Sequence, residues 1–369
     1  MPGQRPTISD VARQAGVSKG AVSFALNGRS GVSPPTRERI LGVARDLGWR
    51  PSHRARSLSV SRAFAFGFVL ARPPELIGAD PFFPSFIAGV ETVLAPAGFA
   101  LVLQVVPSGP AEEASYRRLA AEGRVDGVFV SDLRTSDPRI ALLQELRLPA
   151  VTLNQPDVSS PFPAVCVNDR IGIAQAVRHL ADLGHQRIGH VAGPMEFLHG
   201  QSRRAAWAGA VEQAGLRPGP VVVSDFTAAG GAAATRQLLE AANPPTAIVY
   251  ANDLMAIAGL GVAQRRGLRV PDDISITGFD GAELTSHVHP PLTTIVTNPF
   301  GWGRSAAATL LTAVNSGPPN GVADAHPEPA QLEVRGSTAP PAARPPRPAQ
   351  RARSDRAARA AHVTSKEKQ

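Results

Sequence analysis

The chain has 369 residues, is 43% hydrophobic and 18% charged, and carries a formal net charge of +8. That length exceeds one ordinary domain and suits a small module plus a body of one or two domains with a sizeable core. No apolar run reaches the roughly 18 residues that span a bilayer. The polar start from Gln4 lacks a signal-peptide core, and the single cysteine excludes an internal disulfide and suits a reducing compartment. These features predict a protein that neither spans a membrane nor is secreted. Cys166 lies in the apolar run Ala-Val-Cys-Val and is expected to be a buried, inert thiol.

Residues 7–27 read as two short helices joined by a tight turn. Thr7 caps the first, with Asp10 three residues on as its capping-box partner. Val11, Ala12 and Ala15 form a small apolar face, and Gly16 breaks the helix. Ser18 caps the second helix, which runs to about Asn27 with Val22 and Leu26 facing inward. A helical hairpin of no special function fits this pattern, and so does a helix-turn-helix that lays its second helix in the DNA major groove. A third helix follows, with Ser33 as N-cap, Pro34 in its first turn, and a buried stripe of Ile40, Val43, Ala44 and Leu47. Gly48 ends it and Trp49 plugs the three-helix core. The basic segment after Pro51, with Leu58 as its one exposed-looking leucine, is a linker or a helix that forms only against a partner.

Charge favours DNA. Residues 1–62 carry +8 and residues 339–369 carry +6, which leaves −6 for residues 63–338. A basic end bearing a helical hairpin is the electrostatic footprint of phosphate contact, and the acidic body is not.

From Phe64 strands and helices alternate. Strands are expected at 64–70, 99–105, 125–130, 150–153, 164–167, 187–191, 220–223, 247–250 and 274–277. Helices are expected at 83–94, 169–183, 203–214, 228–241 and 253–266, among others, with Gly98, Gly184, Gly215 and Gly267 at their ends. Such alternation predicts parallel sheets covered by helices, in two α/β subdomains. The tail from Ala339 is rich in Pro, Ala and Arg and reads as disordered, either solvated or adding nonspecific DNA affinity. It has no leucine heptads.

The body shows no phosphate loop, nucleophile elbow or His-Glu-x-x-His motif. His287 and His289 flank Val288 without a ligand set and read as loop residues rather than metal ligands. Neither metal nor cofactor is expected. A binding cleft has better support, because ligands of α/β sheets collect at the carboxyl ends of strands. Asn154, Asn252 with Asp253, and Asp280 each follow a strand, and Arg203 begins a helix. With Phe82 or Phe226 to stack, such a cleft suits a polyhydroxylated small molecule. Taken singly, Asn252 could be only a helix cap and Asp280 only a turn.

The motifs resemble those of the lactose/galactose repressor (LacI/GalR) family. At the N-terminus these are Thr-Ile-Ser-Asp-Val-Ala (7–12), Ala-Gly-Val-Ser (15–18), Val-Ser-x-Ala-Leu-Asn (22–27), Val-Ser-x-x-Thr-Arg-Glu-Arg-Ile (32–40) and Leu-Gly-Trp-Arg-Pro (47–51). In the body they are Asp-Pro-Phe-Phe (80–83), Gly-His-x-Arg-Ile-Gly (184–189), Tyr-Ala-Asn-Asp-Leu-Met-Ala (250–256), the run 270–280 and Pro-Pro-Leu-Thr-Thr-Ile (290–295). The resemblance covers about residues 7–338. It implies an all-α helix-turn-helix domain (6–50), a hinge helix or linker (51–62), and an α/β body (63–338) of the type I periplasmic-binding-protein kind. The body would have two parallel-sheet subdomains, about 63–163 with 298–322, and about 164–297 with 323–338, and a disordered basic tail (339–369) would follow.

The same resemblance implies that Lys19 and Gly20 hold base-reading positions. Thr7, Ser18, Ser23 and Asn27 fall among the DNA-contacting positions, and Leu58 wedges into a minor-groove step with Ala55 beside it. Phe24 stands where many members have arginine. It can make only apolar contact, for example with a thymine methyl, so direct readout falls mainly on Lys19. In the body Arg203, Asn252 and Asp280 match effector-contacting positions, with Asn154 and Phe226 as further candidates and Phe82 from the cleft argument. The expectation is a cytoplasmic, homodimeric, non-enzymatic regulator, a repressor of a pseudo-palindromic operator, controlled by a sugar. A nucleobase effector, a solute-binding protein without a DNA role, and a sugar-modifying enzyme are the alternatives.

Overall fold

The computed structural model describes residues 6–26, 29–49, 62–316 and 329–342. The hinge segment with Ala55 and Leu58, the DNA-contacting candidate Asn27 and the tail from residue 343 lie outside the described residues.

The N-terminal helices are α1 (Ile8–Ala15), α2 (Lys19–Leu26) and α3 (Pro34–Asp46). The capping box forms: the Asp10 carboxylate accepts from the Thr7 backbone N–H at 2.9 Å and from its hydroxyl at 2.7 Å. These two bonds, the hydroxyl first, hold the Asp10 carboxyl below its usual range. Gly16 takes the left-handed conformation at φ 64°, which a side chain would resist, and turns the chain into α2. Ser18 caps α2 by accepting from Ala21 N–H at 3.1 Å. Val11, Ala12, Ala15, Val22, Ala25, Ile40 and Ala44 form the core, with Trp49 and Leu47 packed against it. Leu26 is half-buried, and Ala25 takes the enclosed place, because the spacing of three from Val22 points at the other helices.

After this module the chain forms β1 (Ala65–Leu70), α4 (Pro74–Ala79), α5 (Phe82–Ala97), β2 (Ala100–Val105), α6 (Pro110–Ala121), β3 (Gly127–Val130), α7 (Pro138–Glu145), β4 (Ala150–Leu153) and β5 (Ala164–Val165). There follow α8 (Asp169–Asp182), β6 (Ile188–Ala192), α9 (Leu198–Gln213), β7 (Val221–Val223), α10 (Ala228–Glu240), β8 (Ala247–Tyr250), α11 (Asp253–Arg265), β9 (Ser275–Asp280), a 3₁₀ turn (Glu283–Ser286), β10 (Thr293–Val296), α12 (Pro299–Ser316) and β11 (Gln331–Glu333). The chain divides into two compact units, one ending at Val167 and resuming at 298–328, the other comprising 168–297 and the chain from 329 onward.

The first unit's sheet has the order β2-β1-β3-β4-β5, all parallel. The sequence places the first crossing after residue 163. The pairing of β5 with β4, Thr152 against Ala164 and Leu153 against Val165, keeps four more residues in this unit. Its core is aromatic, with Phe68 5.4 Å from Phe86 and Phe66 edge-on to Phe129 at 6.1 Å. Helices α5 and α12 cross closely, because a Cβ at Gly89 would lie 2.0 Å from the Phe300 carbonyl oxygen.

The second unit's sheet has the order β11-β10-β9-β8-β6-β7. It is the expected parallel sheet, with one short strand, β11, added antiparallel to β10 at its edge. Both strands escaped the sequence reading, since β11 has only three residues and β10 opens with two buried threonines in place of an apolar run. The body also extends past residue 338. The Ser337 carbonyl accepts from Ile276 N–H at 2.9 Å, and His185 Nε2 and Ser275 Oγ contact the Ala339 carbonyl at 2.9 and 3.1 Å. The first residue of the expected tail, Ala339, is therefore packed against the body. Cys166 is half-buried rather than buried, because β5 stops one residue before it; it forms no disulfide. No helix among the described residues is long and apolar enough to cross a membrane.

Candidate functional site

On α2, Lys19, Gly20 and Phe24 are exposed and Ser23 is half-buried, while Val22 and Ala25 face the core. Thr7 and Ser18 are exposed beside them at the two helix starts. The residues expected to read bases therefore lie on the solvent side of the second helix, whose N-terminus is open to phosphate.

In the second unit the strand order reverses between β6 and β8, the kind of point where α/β sheets bind ligands. Four groups meet around it. Asn252, which is 2% exposed, caps α11 by accepting from Met255 N–H at 3.0 Å and donates from Nδ2 to the Phe226 carbonyl at 3.0 Å. Phe226 sits at φ 67°, and its ring fills the space a side chain at Gly193 would need: a Cβ there would be 2.1 Å from Cζ. His199 stacks on Phe226 at 5.4 Å and on Phe197 at 5.5 Å, giving three nearly parallel rings. Arg203 donates from Nε to Asp169 at 2.7 Å and from Nη1 to the Ala251 carbonyl at 2.7 Å, with its guanidinium 3.7 Å above the Phe279 ring. The aromatic face and the carboxylate together fix the guanidinium plane.

Asp280 ends β9 at φ 115°, half-buried, with its carbonyl accepting from Thr297 N–H and hydroxyl at 3.3 and 3.1 Å. The turn after it is gripped by Asp253, whose carboxylate accepts from Ala282 N–H at 2.8 Å and Thr294 hydroxyl at 2.5 Å. Burial pushes the Asp253 carboxyl up to about 7 against the lowering effect of those bonds. The Asn252–Asp253 pair thus ties the Phe226 loop on one side and the Asp280 turn on the other.

In the first unit, Phe82 is half-buried at the start of α5, stacked on Phe86 at 5.9 Å and edge-on to Trp302 at 5.7 Å. Asn154 follows β4 at φ 76° and accepts from Val167 N–H through its side chain at 2.9 Å. This sheet reverses order between β1 and β3, where Arg72 and Asp132 form a two-pronged ion pair of 2.8 and 2.6 Å. Asp132 and Asn154 in the first unit, and Phe226 and Asp280 in the second, each hold a positive φ, costly for non-glycine residues, at or just past the carboxyl end of a strand.

Asp169, Phe197, His199 and Phe279 in the second unit, and the Arg72–Asp132 pair in the first, are not among the residues expected from sequence. The helix expected from Arg203 begins instead at Leu198, as α9, since Gly200 in the first turn imitates a breaker. The spacing of four from His199 to Arg203 was the available signal. His287 and His289 are exposed, and no group of three or more His, Cys, Asp or Glu among the described residues is placed to hold a metal ion.

A helix-turn-helix module followed by two α/β units with polar groups beyond their strand ends defines a DNA-binding regulator with a ligand-binding body. Residues 7–52 match the bacterial regulatory proteins of the lacI family, and residues 177–338 match the periplasmic binding protein-like domain. Among relatives, the HTH-type transcriptional regulator CelR of Thermobifida fusca is 34% identical over 84% of this chain and 92% of its own length. The HTH-type transcriptional repressor CytR of Escherichia coli K12 is 33% identical over 83% and 89%. Among solved structures, the lac repressor dimer bound to operator has a TM-score of 0.77 at 28% identity over 91% of this chain and 100% of that one. The CelR–cellobiose complex has a TM-score of 0.68 at 31% identity, over 90% and 100%. The chain belongs to the lacI family of bacterial regulatory proteins. It is a transcription regulator that binds DNA through residues 7–52.

Proposed function

We propose that the protein is an effector-controlled repressor that grips a pseudo-palindromic operator as a homodimer, and so works in the cytoplasm. Lys19, Gly20 and Phe24 face base edges, Thr7, Ser18, Ser23 and Asn27 position the module on phosphates, and Leu58 with Ala55 opens a minor-groove step. The effector is a polyhydroxylated molecule, a sugar, contacted by Arg203, Phe226, Asn252 and Asp280 of the second unit. The observation that carries this reading is the Asp169–Arg203–Phe279 arrangement beside Phe226 and Asp280. A guanidinium held in one plane by Asp169 and the buried Phe279 ring offers donors, and the half-buried Asp280 carboxylate offers acceptors, to vicinal hydroxyls on a pyranose. The CelR relative is known in complex with cellobiose. The effector alters operator affinity only through unequal affinity for the DNA-competent and DNA-incompetent states.

The test is a thermal-shift screen of the purified protein against cellobiose, ribose, other mono- and disaccharides, nucleosides and nucleobases. A ligand at a hundred times its Kd stabilises by about 2.7 kcal/mol, a shift of roughly 5–10 °C for domains of this size. A sugar that shifts wild type and not Asp280→Asn supports the reading. Silence across the sugars, or an undiminished shift in Asp280→Asn, overturns it. The stacked rings of Phe197, His199 and Phe226 favour a second reading, a planar nucleobase effector. The nucleobase arm of the screen decides between them.

A further inference from the structure

Gly20 and Phe24 stand four residues apart on α2, so they share one face of the helix, away from the buried Val22 and Ala25. Phe24 is 40% exposed and is the largest apolar side chain of that helix. Its position is held from behind. The Phe24 carbonyl accepts from Arg29 N–H at 3.0 Å, and the Arg29 carbonyl accepts from Arg37 Nη2 at 2.5 Å. The loop these bonds fix carries Gly31 at φ 110°, where a Cβ would lie 3.2 Å from Phe24 Cδ2 and 3.5 Å from Cε2. The bare Gly31 backbone therefore forms a wall behind the ring, and any other residue there would be strained and would push the ring out. Around Gly20 the opposite holds. A Cβ there would find nothing within 4 Å except Ser18 Oγ at 3.7 Å, so the helix surface one turn before the ring is open.

A phenyl ring neither donates nor accepts a hydrogen bond at a base edge. Of the groups that a base pair presents in the major groove, the thymine 5-methyl is the apolar one. We propose that the Phe24 ring, backed by Gly31 and opening over Gly20, is a specificity-determining seat for one thymine 5-methyl group in each operator half-site. Lys19, one residue before Gly20, supplies the hydrogen-bonding contact to a neighbouring base. The proposal rests on α2 being the helix that enters the major groove, and it adds which base the helix reads and by which atoms.

The experiment begins with selection of the preferred operator from random duplex DNA by the full-length protein. The selected duplex is remade with single thymine-to-uracil replacements, each deleting one 5-methyl group and no hydrogen-bonding group. One symmetry-related thymine pair is expected to be sensitive, with affinity falling about fourfold for each half-site changed. Phe24→Ala loses that sensitivity, Phe24→Leu keeps part of it, and Phe24→Arg selects guanine at the same position. Phe24 is 40% exposed, and an unchanged circular-dichroism spectrum and melting transition verify that each variant is folded. A wild-type operator without a uracil-sensitive thymine in each half-site, or a uracil penalty that persists in Phe24→Ala, overturns the proposal. Failure to select any sequence overturns the placement of α2 as well, which separates the two failures.

Discussion

Asp253 offers a sharp physical test, because it is 2% exposed and its carboxyl is pushed from 3.8 up to about 7 by burial. A raised carboxyl pKa means that the folded state holds the proton more tightly than the unfolded state. Stability from this group is thus fully present below about pH 4 and is lost as pH rises, until the folded carboxyl ionises near pH 7. The difference between the two values corresponds to about 4 kcal/mol in all, of which roughly 3 kcal/mol falls between pH 5 and pH 8. Asp253→Asn cannot titrate, so its stability relative to wild type should rise by that amount over this interval. The chain has three tryptophans, and Trp207 lies in the core of the second unit. Guanidinium unfolding followed by Trp207 emission, with Trp49→Phe and Trp302→Phe in both proteins, therefore reports the relevant unit. A wild-type-to-variant difference that stays constant from pH 5 to pH 8 would refute the reasoning. It would mean that the bonds from Thr294 and Ala282 outweigh the desolvation of the carboxylate.

Other outcomes follow from the same geometry. Asp169→Ala leaves the Arg203 guanidinium largely buried without its carboxylate, and should destabilise the second unit by about 3–5 kcal/mol; an unchanged unfolding midpoint would show that the Ala251 carbonyl and Phe279 suffice. Gly193→Ala drives a methyl into the Phe226 ring and should abolish the effector response while operator affinity without effector stays near wild type, as read in a gel-shift titration. Leu58→Ala should lose specific operator affinity and keep salt-dependent nonspecific binding; equal operator affinity would remove the wedge. His190 is fully buried, stacked on Trp207 and lowered to about 4 by desolvation, so His190→Gln should leave any pH dependence of operator binding between pH 6 and pH 8 unchanged.

Much was legible before any coordinates, and for local reasons. Thr7 with Asp10, Gly16 and Ser18 act within one helical turn, so the caps and turn that build the DNA-reading module are readable as spacing. The glycines at 98, 184, 215 and 267 end helices with positive φ, a requirement of the backbone alone. Runs such as Ala150–Leu153 and Ala247–Tyr250 are buried on both faces of a parallel sheet, so their apolar character marks them end to end. The aromatic replacement at Phe24 and the bare helix surface at Gly20 were equally plain.

Contacts between distant segments could not be read this way. That Asn252 spends its amide on the Phe226 carbonyl, 26 residues away, and Asp253 its carboxylate on Ala282, 29 residues away, depends on which strands the sheet sets side by side. The same applies to Asp169 reaching Arg203 and to His199 between two phenylalanines. Strand order places these groups, and strand order follows from long-range pairing that no local pattern encodes. The sequence by itself determined the reading head, its charge and the alternating body. Tertiary structure alone decided that Gly31 stands behind the Phe24 ring and that one Asn-Asp pair anchors two loops, because both depend on backbone atoms brought together by folding rather than by spacing.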